Sequence, residues 1–305
     1  MDLRTLHYFV TVAQELNITR AAEKLNMSQP PLSSQMRRLE EELGVTLFYR
    51  GKRRLQLTEE GYLLLRRAKQ LLELADKTRA ELEEHGSGLS GILYLGLVEG
   101  QAPYLAAGWT TEFSRRYPRV TYSLWNGSSD EVLLRLDQGL ADLALIAAPY
   151  DAEHLAGIPV GGEPWAAVMS RSHPLASGSS DAPLPLSDLV GERLIVPARK
   201  SRVASMVAWF GEIGAEPDIV CQTSHYVDAL VLAQAGMGVS IFPRTVPYPQ
   251  EGVCVRTIVQ PARWVEYCLV WNKSTPLSPL AAAFVAMVKE RTAGTSMPPA
   301  GSVLL

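Results

Sequence analysis

The chain has 305 residues, 47% of them hydrophobic and 20% charged, with a net charge of −3. That length exceeds what one ordinary core fills, so two domains are expected, and the composition is normal for a soluble globular protein. No apolar run approaches the ~18 residues of a membrane span. The opening "MDLRTLHYFV" has no basic-then-apolar leader, and the three isolated cysteines (Cys221, Cys254, Cys268) lack metal-ligand spacing. A chain of the reducing cytoplasm, with no membrane partner, metal or other cofactor, is the expectation.

The charge is unevenly spread: +3 over residues 1–58, −2 over 59–88 and −4 over the remainder. A basic head on an acidic body predicts an anionic partner for the head. "LRTLHYFVTVAQEL" places Leu6, Phe9, Val10 and Ala13 on one stripe of an amphipathic helix. Asn17 or Thr19 caps a short second helix, "RAAEKL", whose Ala21, Ala22 and Leu25 face inward. In "SQPPLSSQMRRLEEELG", Leu32, Met36, Leu39 and Leu43 form a buried face that Gly44 ends. Two prolines sit near the start of this helix, where the first N–H groups have no internal partner and proline loses nothing. Pro31 pushes Pro30 towards extended geometry, so the regular helix is expected from Pro31, with Ser28 as its cap.

Ser33, Ser34, Gln35, Arg37 and Arg38 stand on the opposite face of that helix. Hydroxyls, amides and guanidiniums there suit a major groove, where they meet base edges and phosphates. "VTLFYRGKRRLQLT" then reads as a hairpin with Arg50, Lys52, Arg53 and Arg54 around a glycine turn, a basic wing for the phosphate backbone. From Thr58 to about His85 a long helix repeats Leu64, Ala68, Leu71, Ala75, Thr78 and Leu82 at alternating spacings of four and three. That is a coiled-coil seam, read as a dimerisation helix.

In this order, helix, helix, recognition helix, wing and seam helix, residues 1–60 closely resemble the winged helix-turn-helix of LysR-type transcriptional regulators. The resemblance continues, weaker but collinear, to about residue 292. It implies a DNA-binding role for Gln29, Ser33 and Ser34. The family often carries arginine where Ser34 stands, so one usual contact is weakened or replaced by Gln35 or Arg38. Thr19, Arg20, Ser28, Pro30 and Arg37 complete the set offered to double-stranded DNA, together with the wing cations Arg50, Lys52, Arg53 and Arg54.

A glycine/serine hinge, "EEHGSGLSG", precedes two successive α/β sets, "GILYLGLV" to "ADLALIAA" and "RLIVPA" to "GVSIFP". Alternating strands and amphipathic helices predict parallel sheets with crossover helices. The sets are joined near residues 148–165 and 243–270, which predicts two lobes around a cleft; "CLVWN" and "SPLAAAFVAMVKERT" return to the first lobe. The expected fold is α+β multidomain: winged helix-turn-helix 1–58, linker helix 59–88, two-lobed domain 89–292 and flexible tail 293–305. Lobe I takes about 89–148 and 270–292, and lobe II about 165–243. The resemblance implies that the two-lobed domain is a type 2 periplasmic-binding-protein-like regulatory domain whose linking sections form a hinge. It further implies a dimer of dimers, and RNA polymerase as a partner if the regulator activates.

Ligands of open α/β sheets bind at strand carboxyl ends, where helix N-termini point N–H groups into the crevice. The corresponding candidates are Glu99, Gly100, Gln101, Ser128, Ser129, Ala148, Lys200, Ser201, Arg202, Thr223, Ser224, His225, Phe242 and Pro243. Ser128, Ser201, Thr223 and Ser224 serve equally well as plain helix caps. The resemblance implies a small organic acid or amino-acid-like effector here. Glu99 departs from the small hydroxyl residue of many relatives: it repels an anion unless Lys200, Arg202 or His225 balances it, recognises an amine or zwitterion, or pairs with a neighbouring cation. No nucleophile elbow, zinc-protease motif, P-loop or cysteine pair is present, so an enzyme is not expected. The competing class is a solute-binding module whose helical head only assembles proteins, and the basic wing argues against it.

Overall fold

The computed structural model describes residues 1–50, 55–83, 89–177, 182–244, 252–293 and 303–304, and the chain divides into units Met1–His85 and Gly86–Leu305.

In the first unit, α1 (Leu3–Glu15) is capped by Asp2, whose Oδ1 accepts the Thr5 N–H at 2.7 Å. Asn17 caps α2 (Ile18–Lys24) through the Arg20 N–H at 3.1 Å. The next helix, α3, runs Gln29–Leu43 and begins two residues earlier than expected, with both prolines inside its first turn. Burial of Leu32, Met36 and Leu39 on the core of this unit outweighs the steric push of Pro31 on Pro30. Ser28 occupies the cap position, but its hydroxyl makes no capping bond. Gly44 ends the helix at φ 68°, a conformation that costs glycine little.

β1 (Phe48–Arg50) pairs antiparallel with β2 (Leu55–Leu57), the expected hairpin; its tip, residues 51–54, lies outside the described residues. Glu40 Oε1 accepts the N–H groups of Leu47 at 2.8 Å and Phe48 at 3.2 Å, tying α3 to the hairpin. α4 (Glu59–Glu83) starts where Thr58 Oγ1 accepts the Gly61 N–H at 2.9 Å. The expected seam does not run uniformly along it. Ala68 and, in part, Leu64 are spent on the core of their own unit, whereas Leu71 and Leu82 stay exposed. Packing on α1 takes the first half of the stripe before any partner chain can use it.

The second unit holds one long sheet. β3 (Gly91–Leu97), β4 (Val120–Asn126) and β5 (Leu143–Ala147) are parallel, with α5 (Ala102–Arg116) and α6 (Ser129–Asp137) between them in sequence. Next comes β6, a strand of 16 residues, Leu155–Ser170. The short β7 (Leu184–Pro185) precedes β8 (Arg193–Pro197), α7 (Lys200–Gly211), β9 (Asp218–Thr223), α8 (Tyr226–Gln234) and β10 (Val239–Pro243), whose strands β8, β9 and β10 form a second parallel set. β11 (Val253–Val259), β12 (Arg263–Asn272), α9 (Pro279–Thr292) and the two-residue β13 (Val303–Leu304) complete the chain. The sheet runs β4-β3-β5-β12-β6-β10-β8-β9, so two parallel halves meet at an antiparallel centre.

That centre replaces the expected links. Residues 155–170 contain Gly157, Pro159, Gly161, Gly162 and Pro164, which ordinarily mark loops. Here β6 pairs with β12 from Trp264↔Pro164 to Asn272↔Leu155, and then with β10 and β11. Proline and glycine are tolerated because a register shift beside Tyr267 relaxes the ladder. The strand therefore ties one half of the sheet to the other.

Candidate functional site

In the first unit, α3 lays Leu32, Met36 and Leu39 on the core and turns its other face outwards. Gln29, Pro30, Ser34, Arg37 and Arg38 are exposed, and Ser33 and Gln35 are half-buried beside them. Thr19, Arg20 and Ser28 are exposed as well. Lys52, Arg53 and Arg54 lie outside the described residues, as does the side chain of Arg50. The described face thus combines side chains able to donate to phosphates with amides able to read base edges.

In the second unit a cavity of about 570 Å³ lies where the strands of both parallel halves end. Glu99 and Gly100 follow β3, Trp125 to Glu131 join β4 to α6, and Ala147 ends β5. From the other half come Pro197 to Arg199 with Arg202, then Thr223 to Tyr226, Phe242 and Pro243. Trp165 on β6 and Val265 and Tyr267 on β12 also line it.

Among the described residues, two ion pairs cross the cavity. Glu99 Oε1 lies 2.8 Å from His225 Nδ1, and its Oε2 accepts the Tyr226 N–H at 2.8 Å, at the start of α8. Glu99 thereby holds the His225 imidazole above its ordinary pKa, through the hydrogen bond first and its charge second. Asp130 on α6 receives Arg199 in a fork, Nη2 at 2.6 Å and Nε at 3.3 Å. Ser128 caps α6 in a capping box with Glu131, whose carboxyl the Ser128 hydroxyl first and the Ser128 N–H second hold below its usual range. On the far side, Arg202 is only 8% exposed; its Nη2 donates to the Ala148 carbonyl at 2.9 Å, and burial lowers its pKa to about 10. Its guanidinium sits 5.9 Å from the Trp165 ring centre.

Behind the cavity, the Tyr267 hydroxyl donates to Glu163 Oε1 and accepts the Gln101 N–H at 3.4 Å. Burial pushes the Glu163 carboxyl up to about 7 and the Tyr267 hydroxyl well above its ordinary value. Gly100 stands at φ 95°, and a Cβ there would meet the Tyr267 hydroxyl at 2.4 Å, so glycine is required for the wall to approach this pair.

Ten of the fourteen residues selected from the sequence line the cavity; Gln101, Ala148, Lys200 and Ser201 do not. Gln101 sits behind the Tyr267 hydroxyl, and Ala148 offers only its carbonyl, to Arg202. Lys200 and Ser201 are exposed because helical rotation turns them away from the face shared by Arg199 and Arg202.

The match to known proteins covers both units. Residues 3–62 match the model of the bacterial regulatory helix-turn-helix protein, lysR family, and residues 86–293 match the LysR substrate binding domain. The chain is a LysR-type transcriptional regulator. A hydrogen peroxide-inducible genes activator of Dickeya chrysanthemi is 29% identical over 282 residues, 91% of each chain. The HTH-type transcriptional regulator BsdA of Bacillus subtilis is 33% identical over 250 residues, 81% of this chain and 85% of that one. The crystal structure of full-length CbnR with its target DNA is 27% identical, with a TM-score of 0.78 over 95% of this chain and 99% of that chain.

This LysR-type regulator is therefore a DNA-binding protein with an effector-binding domain, and its relatives are regulators, not enzymes. Among the described residues, no helix is long and apolar enough to cross a membrane. Sequence reasoning missed Trp165, Val265 and Tyr267 because they come from strands read as links. Trp125, Asn126 and Tyr226 were missed as flanks of the chosen loops.

Proposed function

We propose that this LysR-type regulator controls transcription by closing the two halves of its substrate-binding domain on a small molecule in the 570 Å³ cavity. The observation that carries the reading is the pair of ionic contacts across that cavity, Glu99 with His225 and Asp130 with Arg199. A ligand that favours one spacing of those partners shifts the population between two sheet geometries. In the cytoplasm, α4 pairs two chains through its exposed apolar residues, two such dimers bind spaced half-sites, and the effector changes the angle between them. As an activator, the tetramer would also contact RNA polymerase. Gln29, Ser33, Ser34 and Arg38 face the DNA bases and phosphates, and the wing cations hold the backbone.

Some relatives are hydrogen peroxide-inducible activators by name. A thiol-based response to peroxide is not the reading here. Cys221, Cys254 and Cys268 are on three different strands and none lines the cavity; burial pushes the Cys268 thiol up to about 12, away from the reactive thiolate.

A thermal-shift screen of metabolites identifies the effector, because a ligand at 100 times its Kd adds about 2.7 kcal/mol of stability. DNase footprinting of the chain's own upstream region, with and without that ligand, then tests the coupling. A footprint and bend unchanged at saturation would refute it.

A further inference from the structure

The cavity carries its own anions. Glu99 places one carboxylate oxygen on the first N–H of α8 and the other on His225. At the start of α6, Glu131 Oε2 takes both the N–H of the cap residue Ser128 at 2.9 Å and its hydroxyl at 2.7 Å. The Gln101 N–H at the start of α5 points to the Tyr267 hydroxyl, and the Arg199 fork is filled by Asp130. Helix N-termini and an arginine fork are the groups that a carboxylate or phosphate ligand would use. At α5, α6 and α8, and in the Arg199 fork, the chain itself engages these groups; the start of α7 carries no side-chain cap. The lining acids Glu99, Asp130 and Glu131 face Arg199, Arg202 and His225, so the wall offers an anion no net attraction.

Much of the remaining wall is aromatic, beside small and aliphatic residues such as Val98, Ala147 and Val265. Trp125, Trp165, Tyr226, Phe242 and Tyr267 line the cavity, and four of these rings pack against a neighbouring side chain. Trp165 lies 6.4 Å from Trp209, Tyr226 meets Phe242 edge-on at 5.7 Å, and Arg135 covers Trp125 at 4.8 Å. Rigid aromatic walls bind flat rings at small entropic cost. A volume of about 570 Å³ accommodates a bicyclic ring system with a short side chain.

We infer that the effector is an aromatic small molecule without net negative charge, and that Glu99 sets this preference by standing where a ligand carboxylate would otherwise bind. The inference rests on the proposed effector role of the cavity and names the ligand class. An anionic ligand that takes the α8 N-terminus displaces Glu99 from His225 and from that N–H, and then leaves the carboxylate beside its own charge. An uncharged or cationic ring leaves the contact intact and adds only apolar and aromatic contact.

The test uses the full-length protein and three probes on one ring: indole-3-acetamide, its anionic isostere indole-3-acetate, and the cation tryptamine. Calorimetry measures each Kd. The amide or the amine is expected to bind at least about tenfold more tightly than the acid. Glu99→Gln, which keeps the shape and removes the charge, should cut that ratio to about threefold or less by strengthening the acid. Should the variant fail to fold, the wild-type ratio alone decides. Acid binding equal to or tighter than amide binding, or a ratio unmoved by Glu99→Gln, would overturn the inference and leave the effector reading standing. Absence of binding by all three probes overturns the aromatic class. Loss of the effector reading itself would appear separately, as a wider metabolite screen with no stabilising compound of any charge.

Discussion

Glu163→Gln isolates the energetics of the antiparallel centre. Glu163 is 3% exposed, its Oε1 receives the Tyr267 hydroxyl, and its Oε2 is buried with no hydrogen-bond partner among the described residues. Burial raises its carboxyl from the ordinary 4.5 to about 7, against smaller opposing contributions from the Tyr267 and Gln101 hydrogen bonds. Below pH 4.5 the group is protonated in both folded and unfolded chains, and its contribution is fully present. As pH rises to 7 the unfolded chain releases the proton while the folded one keeps it, so stability falls. At 1.36 kcal/mol per pH unit the loss is about 3 kcal/mol. Glutamine cannot ionise, yet its Oε1 still accepts the Tyr267 hydroxyl. Urea unfolding read by tryptophan fluorescence reports this unit alone, since Trp109, Trp125, Trp165, Trp209, Trp264 and Trp271 all lie beyond residue 86. The gap between variant and wild type should widen in favour of the variant by about 3 kcal/mol from pH 4.5 to 7.5. Parallel stability curves for the two proteins would refute the reasoning.

Three further outcomes are expected. The His225 ring, raised by Glu99 with Asp228 and Glu131 adding to it, should titrate above 6.5 by NMR and move down in Glu99→Gln; its ionic contribution is present below 6.5 and lost as pH rises through the raised value. An unchanged midpoint would break the cross-cavity pair. Gln29→Ala should erase about 1–3 kcal/mol of discrimination between operator and random DNA, whereas Arg53→Ala should weaken both equally and flatten the salt dependence, as gel shifts over a salt series would record. In Gly61→Ala the new Cβ would stand 2.3 Å from the Leu47 carbonyl oxygen, a backbone atom that cannot step aside. The first unit should lose about 1–3 kcal/mol, visible as an earlier helix melt in circular dichroism with the tryptophan signal unmoved.

Much of the architecture is local and therefore readable. The stripes Leu6-Phe9-Val10 and Leu32-Met36-Leu39 declare which faces of α1 and α3 must be buried, and a helical period is visible without knowing what covers it. Pro30 and Pro31 mark the start of α3 to within two residues, because only the first turn tolerates them. The alternation of apolar runs with amphipathic segments likewise declares β3 to β5 and β8 to β10. The strand-end loops follow from that alternation, and with them ten of the cavity residues.

Partnership across the chain is a different matter. Glu99 meets His225 and Tyr226 across 126 and 127 positions, and Asp130 meets Arg199 across 69. No local period encodes such meetings; sheet order and register do. β6 reads as a link because its glycines and prolines weaken an isolated strand, and it becomes a strand only when β12, β10 and β11 supply its hydrogen bonds. That pairing carries Trp165 and Tyr267 into the cavity and Glu163 behind it. The amphipathic helices, the strands of the two parallel halves and the loops at their ends are legible locally, since burial of a face is a local demand. Tertiary structure alone decided which charges oppose each other there, because that depends on where two distant strands stop.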